Sequence, residues 1–119
     1  TAVGALALDA NTTANNNVAV GYNSLGANTS GADNVAVGTN ALDANTIASF
    51  NTALGHVALT ENTEGNYNTA VGKGALSANT TASNNTGIGY HALDLNTTGT
   101  FNVAVGSLTL DTNECNDSQ

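Results

Sequence analysis

Asn34-Val35-Ala36-Val37-Gly38, followed by Ala41-Leu42 and Asn45-Thr46, is the stretch that decides the fold. The same words return at Asn68-Thr69-Ala70-Val71-Gly72 with Leu76 and Asn79, and at Asn102-Val103-Ala104-Val105-Gly106 with Leu110 and Asn113. Working outward from it, Gly falls at 4, 21, 38, 55, 72, 89 and 106. Leu falls at 8, 25, 42, 59, 76, 93 and 110. One Asn series runs 11, 28, 45, 62, 79, 96 and 113, and a second runs 17, 34, 51, 68, 85 and 102. The spacing is 17 residues throughout, and seven such units fill the 119 residues. A fixed period of this kind is the mark of a stacked repeat architecture.

Seventeen residues are too few for a helix-turn-helix unit, and the Asn, Thr and Gly content opposes helix. Each apolar triplet ends at a Gly, a natural corner. Asn34–Gly38 therefore reads as a short strand, Ala41-Leu42 as a second one, and Asn45-Thr46 as the start of a return turn. The sequence predicts an all-β fold: a parallel β-solenoid, or β-roll, of seven 17-residue coils forming one array over residues 1–119. Its coils begin near Asn17, Asn34, Asn51, Asn68, Asn85 and Asn102. At about 4.8 Å per coil the rod should be roughly 34 Å long.

Strand side chains alternate faces, so Val35 and Val37 share one face and Ala36 takes the other. Placing the larger residues inside gives an expected core of Val37, Leu42, Leu54, Leu59, Val71, Leu76, Ile88 and Leu93. The middle Ala residues, such as Ala36, Ala53 and Ala70, then form a flat outer stripe that another chain can approach closely. The Asn ladders are expected to close the turns, each carboxamide bonding the ones above and below. Leu, Ile, Val and Phe make up only about a fifth of the chain, near the level at which ordinary packing fails. A core this thin usually needs oligomerisation.

The Asn-Val-Ala-Val-Gly and Asn-Thr-Ala-Val-Gly strands resemble the head repeats of YadA-type trimeric autotransporter adhesins. Related arrays occur in phage tail fibres and other bacterial surface fibres. The resemblance covers the whole chain through its repeat, although the family's usual head repeat is shorter and no neck motif, stalk or anchor accompanies this one. It implies a left-handed roll, three chains about one axis, a place outside the cell on a bacterial surface or a virion fibre, and a role in attachment. The family's binding surface is no fixed motif, so no binding residue is carried over.

Charge points the same way. Nine acidic residues face a single basic one, Lys73, and the formal net charge is −8. Nucleic acid is not expected as a partner, since phosphate binding needs a Lys/Arg surface. Direct contact with an anionic membrane is not expected either. The expected partners are the chain itself, as homotrimer or end-to-end filament, and a host protein or glycan. Cys115 is the only cysteine, which excludes an internal disulfide.

No constellation of tuned groups suggests catalysis, so the chain is not expected to be an enzyme. No catalytic, metal or cofactor-binding residues are assigned and no cofactor is expected. His56 and His91 sit at different repeat positions without a partner at metal spacing, and read as solvated. Asp9, Asp43, Asp94 and Asp111 share one position, interrupted by Gly26, Thr60 and Ser77, and read as a solubilising edge. The aromatics are the candidate surface-binding residues. Tyr22 and Tyr90 follow the repeat Gly; Phe50, Tyr67 and Phe101 precede the strand Asn. Exposed aromatics can bind sugars or proteins, while packing between coils is the plainer reading.

The function expected is that of an extracellular structural or adhesive fibre module. A phage tail-fibre shaft or receptor-binding segment, a self-assembling filament subunit and an ice-binding solenoid are the alternatives. The last rests on the Thr ladder at 12, 29, 46, 63, 80 and 97. The phase match between Gln119 and Thr1 suggests end-to-end stacking.

Overall fold

In the computed structural model, which describes residues 1–111, seven short strands stack into one parallel sheet. They are β1 (Ala2–Val3), β2 (Val18–Val20), β3 (Val35–Val37), β4 (Thr52–Leu54), β5 (Thr69–Val71), β6 (Thr86–Ile88) and β7 (Val103–Val105). The sheet order is the chain order, and every pairing is offset by one repeat: Ala19 pairs with Ala36, Ala36 with Ala53, Ala53 with Ala70. The chain is a β-solenoid, and its long axis measures 36 Å against 21 and 16 Å across. Glu114, Cys115 and the Gln119 end lie outside the described residues.

Each coil holds one strand, not two. The Ala41-Leu42 stretch lies in a pair of turns, closed by Ala41 N–H donating to Gly38 O at 3.2 Å and Asn45 N–H donating to Leu42 O at 3.1 Å. The ladder Leu residues adopt left-handed backbone, with φ of 50 to 54° from Leu8 to Leu110. That conformation cannot extend a strand. It turns the leucines inward instead: Leu25, Leu42, Leu59, Leu76 and Leu93 are completely buried.

The strands are inverted relative to the sequence expectation. Ala19, Ala36, Ala53, Ala70 and Ala104 are the buried members, and Leu54 and Ile88 are exposed. Val37 and Val71 are half-exposed. The assignments of Val37, Leu54, Val71 and Ile88 to the core, and of the Ala stripe to an outer face, are therefore corrected; those of Leu42, Leu59, Leu76 and Leu93 stand. The reason is space. A β-carbon built on Gly87, which takes the Ala position in β6, would lie 3.3 Å from Leu76 Cγ and 3.0 Å from Ala92 O. The ladder leucines already fill the interior up to the strand, so only a methyl group or a hydrogen fits beneath it.

The corner after each strand requires Gly. Gly38 has φ of 134°, and a β-carbon there would meet Gly55 O at 2.6 Å, with the same close approach recurring at successive coils. Two features oppose substitution together: a backbone conformation closed to L side chains and a carbonyl where the side chain would stand.

The rest of the interior is polar. Asn45 Nδ2 donates to Asn28 Oδ1 at 2.8 Å and to Ala48 O at 3.0 Å, and Asn62, Asn79 and Asn96 repeat the pattern. This series is the expected carboxamide ladder. The second series works differently. Asn51 Oδ1 accepts from the backbone N–H of Asn68 at 2.9 Å, while Asn68 Nδ2 donates to Ala82 O at 2.9 Å. It satisfies the N–H at the entrances of β3 to β7, a buried donor that would otherwise be orphaned.

Candidate interaction surface

With Ala turned inward, the first and third residues of each strand form the outer face of the sheet. One row is Val18, Val35, Thr52, Thr69, Thr86 and Val103; the other is Val20, Val37, Leu54, Val71, Ile88 and Val105. No ionisable side chain stands on either row, although the chain carries −8. The two borders of this face are set by position: the residue two before each strand and the residue two after it. The leading border is Asn16, Asp33, Phe50, Tyr67, Asn84 and Phe101. The trailing border is Tyr22, Thr39, His56, Lys73, Tyr90 and Ser107.

All five aromatic residues of the chain stand on these two borders. Tyr22, Phe50, Tyr67, Tyr90 and Phe101 are exposed, each by 48 to 61%. They partly pack between coils as well. The Phe50 and Tyr67 rings stack with centroids 5.0 Å apart and planes 1° from parallel. Lys73 Nζ lies 5.7 Å from the Tyr90 ring centroid. The leading border is also conformationally costly: Asn16, Asp33, Phe50, Tyr67, Asn84 and Phe101 all have φ between 58 and 62°. Asn and Asp tolerate that region, but bulky side chains rarely take it.

Sequence reasoning placed the five aromatics at outward corners, which is where they are. It missed that the two groups flank one face, because it had assigned that face to the interior. The signal was available: each aromatic lies two residues outside a strand, on one side or the other.

The remaining polar side chains form rows along the rod. Thr60 Oγ1 donates to Asp43 Oδ1 at 2.6 Å, and Ser77 Oγ donates to Asp94 Oδ1. Two of the residues that interrupt the Asp row, Thr60 and Ser77, are thus its hydrogen-bond donors. His91 is a correction. It is half-buried, its Nδ1 lies 2.6 Å from Asp94 Oδ2, and its ring meets Tyr90 edge-on at 4.3 Å. His56 is exposed, as expected. In this cluster Asp94 accepts from Ser77 through one carboxylate oxygen and meets His91 through the other. The Thr ladder is engaged along the axis: Thr29 Oγ1 donates to Thr46 O at 3.0 Å, and Thr46 Oγ1 to Thr63 O at 3.4 Å.

Compared with known proteins, the chain matches no family model, no curated protein and no solved structure.

Proposed function

We propose that the chain is a structural and adhesive module of an extracellular fibre, working as a parallel homotrimer whose members meet through the outer face of the strands. The observation that carries this reading is the charge-free Val/Thr and Val/Leu/Ile face running the length of an otherwise acidic rod. Contiguous apolar surface of this kind marks an interaction site. An acidic chain repels its copies wherever carboxylates meet, so the face without them is where copies can approach. The flanks carrying Thr12, Thr29, Thr46 and the Asp row remain outside and form the repetitive polar surface presented for attachment. The resemblance of the strand motif to adhesin head repeats supports the number three and the extracellular setting.

Sedimentation of the isolated chain tests the reading. A trimer is expected at micromolar concentration, and Leu54→Glu, which sets a carboxylate on the strand face of every copy, is expected to give folded monomers. A wild-type chain that stays monomeric at millimolar concentration overturns it.

A further inference from the structure

The two borders of the strand face differ, and they differ coil by coil in a way that fits one to the other. Taken across each strand, the leading and trailing residues are Asn16 and Tyr22, Asp33 and Thr39, Phe50 and His56, Tyr67 and Lys73, Asn84 and Tyr90, Phe101 and Ser107. No coil carries Phe or Tyr on both sides. Where one border bears a Phe or Tyr, the residue opposite is an amide, a hydroxyl or a basic side chain. The Phe50–Tyr67 stack stands at the level of His56 and Lys73, and Lys73 is the only Lys or Arg of the chain.

These pairs do not meet within one chain. Tyr67 and Lys73 stand beyond opposite ends of β5, whose flanking Asn68 and Gly72 are already about 13 Å apart at the rise of a strand. They would meet between chains. When two copies run parallel about an axis along the rod, the leading border of one faces the trailing border of the next at the same height. Antiparallel copies meeting face to face across a two-fold axis perpendicular to the rod set like border against like border and reverse the heights. Like-border contact would bring Phe50 and Tyr67 against the same two rings and leave Lys73 without an aromatic partner on the neighbouring copy. Exposed bulky residues in left-handed backbone are doubly unfavourable in a free rod, and such strain is held where surrounding contacts make use of it.

We infer that neighbouring copies pack parallel and in register, leading border to trailing border, with the Tyr67 ring of one copy against the Lys73 ammonium of the next and Phe50 against His56. Lys73 is then held between its own Tyr90 and the neighbour's Tyr67, a cation–π arrangement on both sides. This rests on the proposal that copies associate in parallel through the strand face, and it adds register and named pairs to it.

Disulfide trapping tests it, in a Cys115→Ser background that removes the native thiol. The double variant Tyr67→Cys/Lys73→Cys places its two thiols at one level on opposite borders, too far apart to bridge within a chain. Under mild oxidation it should give covalently closed oligomers on a non-reducing gel. The rate should exceed by about 100-fold that of the off-level pair Tyr67→Cys/Ser107→Cys, because only the matched pair is held at high effective concentration. Both positions are exposed, so circular dichroism should match the parent chain. Equal rates for matched and off-level pairs overturn the register. Single variants crosslinking as fast as the matched pair overturn the parallel direction. A parent chain that sediments as a monomer removes the association itself, and a closed covalent dimer supports the border pairing while replacing three copies by two.

Discussion

Leu54 and Leu59 lie five residues apart in one coil and are the same residue, yet their surroundings are opposite. Leu54 sits on a strand in ordinary extended backbone and is 47% exposed; Leu59 sits in a turn at φ of 52° and is 0% exposed. A branched apolar side chain is expected in the strand and a small polar one in a left-handed turn. Here the strand supplies the surface and the turn supplies the core. The left-handed conformation costs Leu59 on the order of 1–2 kcal/mol. Full burial contributes about 1.5–3 kcal/mol in return. Complete enclosure offsets that cost for the ladder leucines of the inner coils, while Leu8 and Leu110 hold the same conformation half-buried.

The sharpest way to break the contrast is to truncate each leucine. Leu59→Ala leaves a cavity mid-stack and should lower unfolding free energy by about 2–5 kcal/mol. Urea denaturation reads this directly, and a loss below 1 kcal/mol would mean that the turn row does not form the core. Asn68→Ala asks whether the polar half of the interior carries comparable weight. It strands the Asn85 backbone N–H, whose acceptor is Asn68 Oδ1 at 3.0 Å. An orphaned buried donor costs about 1–3 kcal/mol. Rapid hydrogen exchange at the Asn85 amide, with its neighbours still protected, is the accompanying sign. Leu54→Thr should be the mildest, because Thr occupies the leading row of the same face at Thr52, Thr69 and Thr86. In dilute monomer it should change stability by less than about 0.5 kcal/mol. Its effect should appear in association, as a weakened oligomer in sedimentation.

Much of this was legible in the sequence, and the error that moved the candidate surface was one of orientation. The period, the Gly corner, the buried Leu row and the Asn ladder follow from what recurs every 17 residues. The orientation of the strand does not. Alternation at Val35-Ala36-Val37 shows that two faces differ, and nothing within the triplet says which is inside. Choosing the larger residues follows a rule that holds where strands form the core. In this coil the space is taken from the other side, by Leu42 and its ladder neighbours, whose left-handed turn is not a conformation that Leu announces. The candidate surface was misplaced for the same reason. The five aromatics were found, but their relation to one face became visible only once Ala36 and its equivalents had turned inward.

Every strand pairing in the rod, and the great majority of the hydrogen bonds that join its turns, connect a residue to another about 17 positions away, in the coil directly below or above. Among the described residues, the hydrogen bonds between coils join each one to its immediate neighbours alone. Cohesion in such a stack is a sum of identical interfaces, so an inner coil is held twice and an end coil once. Loss of order should therefore run from the tips inward as a moving boundary, in the manner of a zip fastener. Inserting or deleting whole 17-residue units should change the length of the rod while leaving every surviving interface as it was. For a solenoid of this kind length is a free variable, adjustable by gene duplication in steps of about 4.8 Å without redesign of the parts.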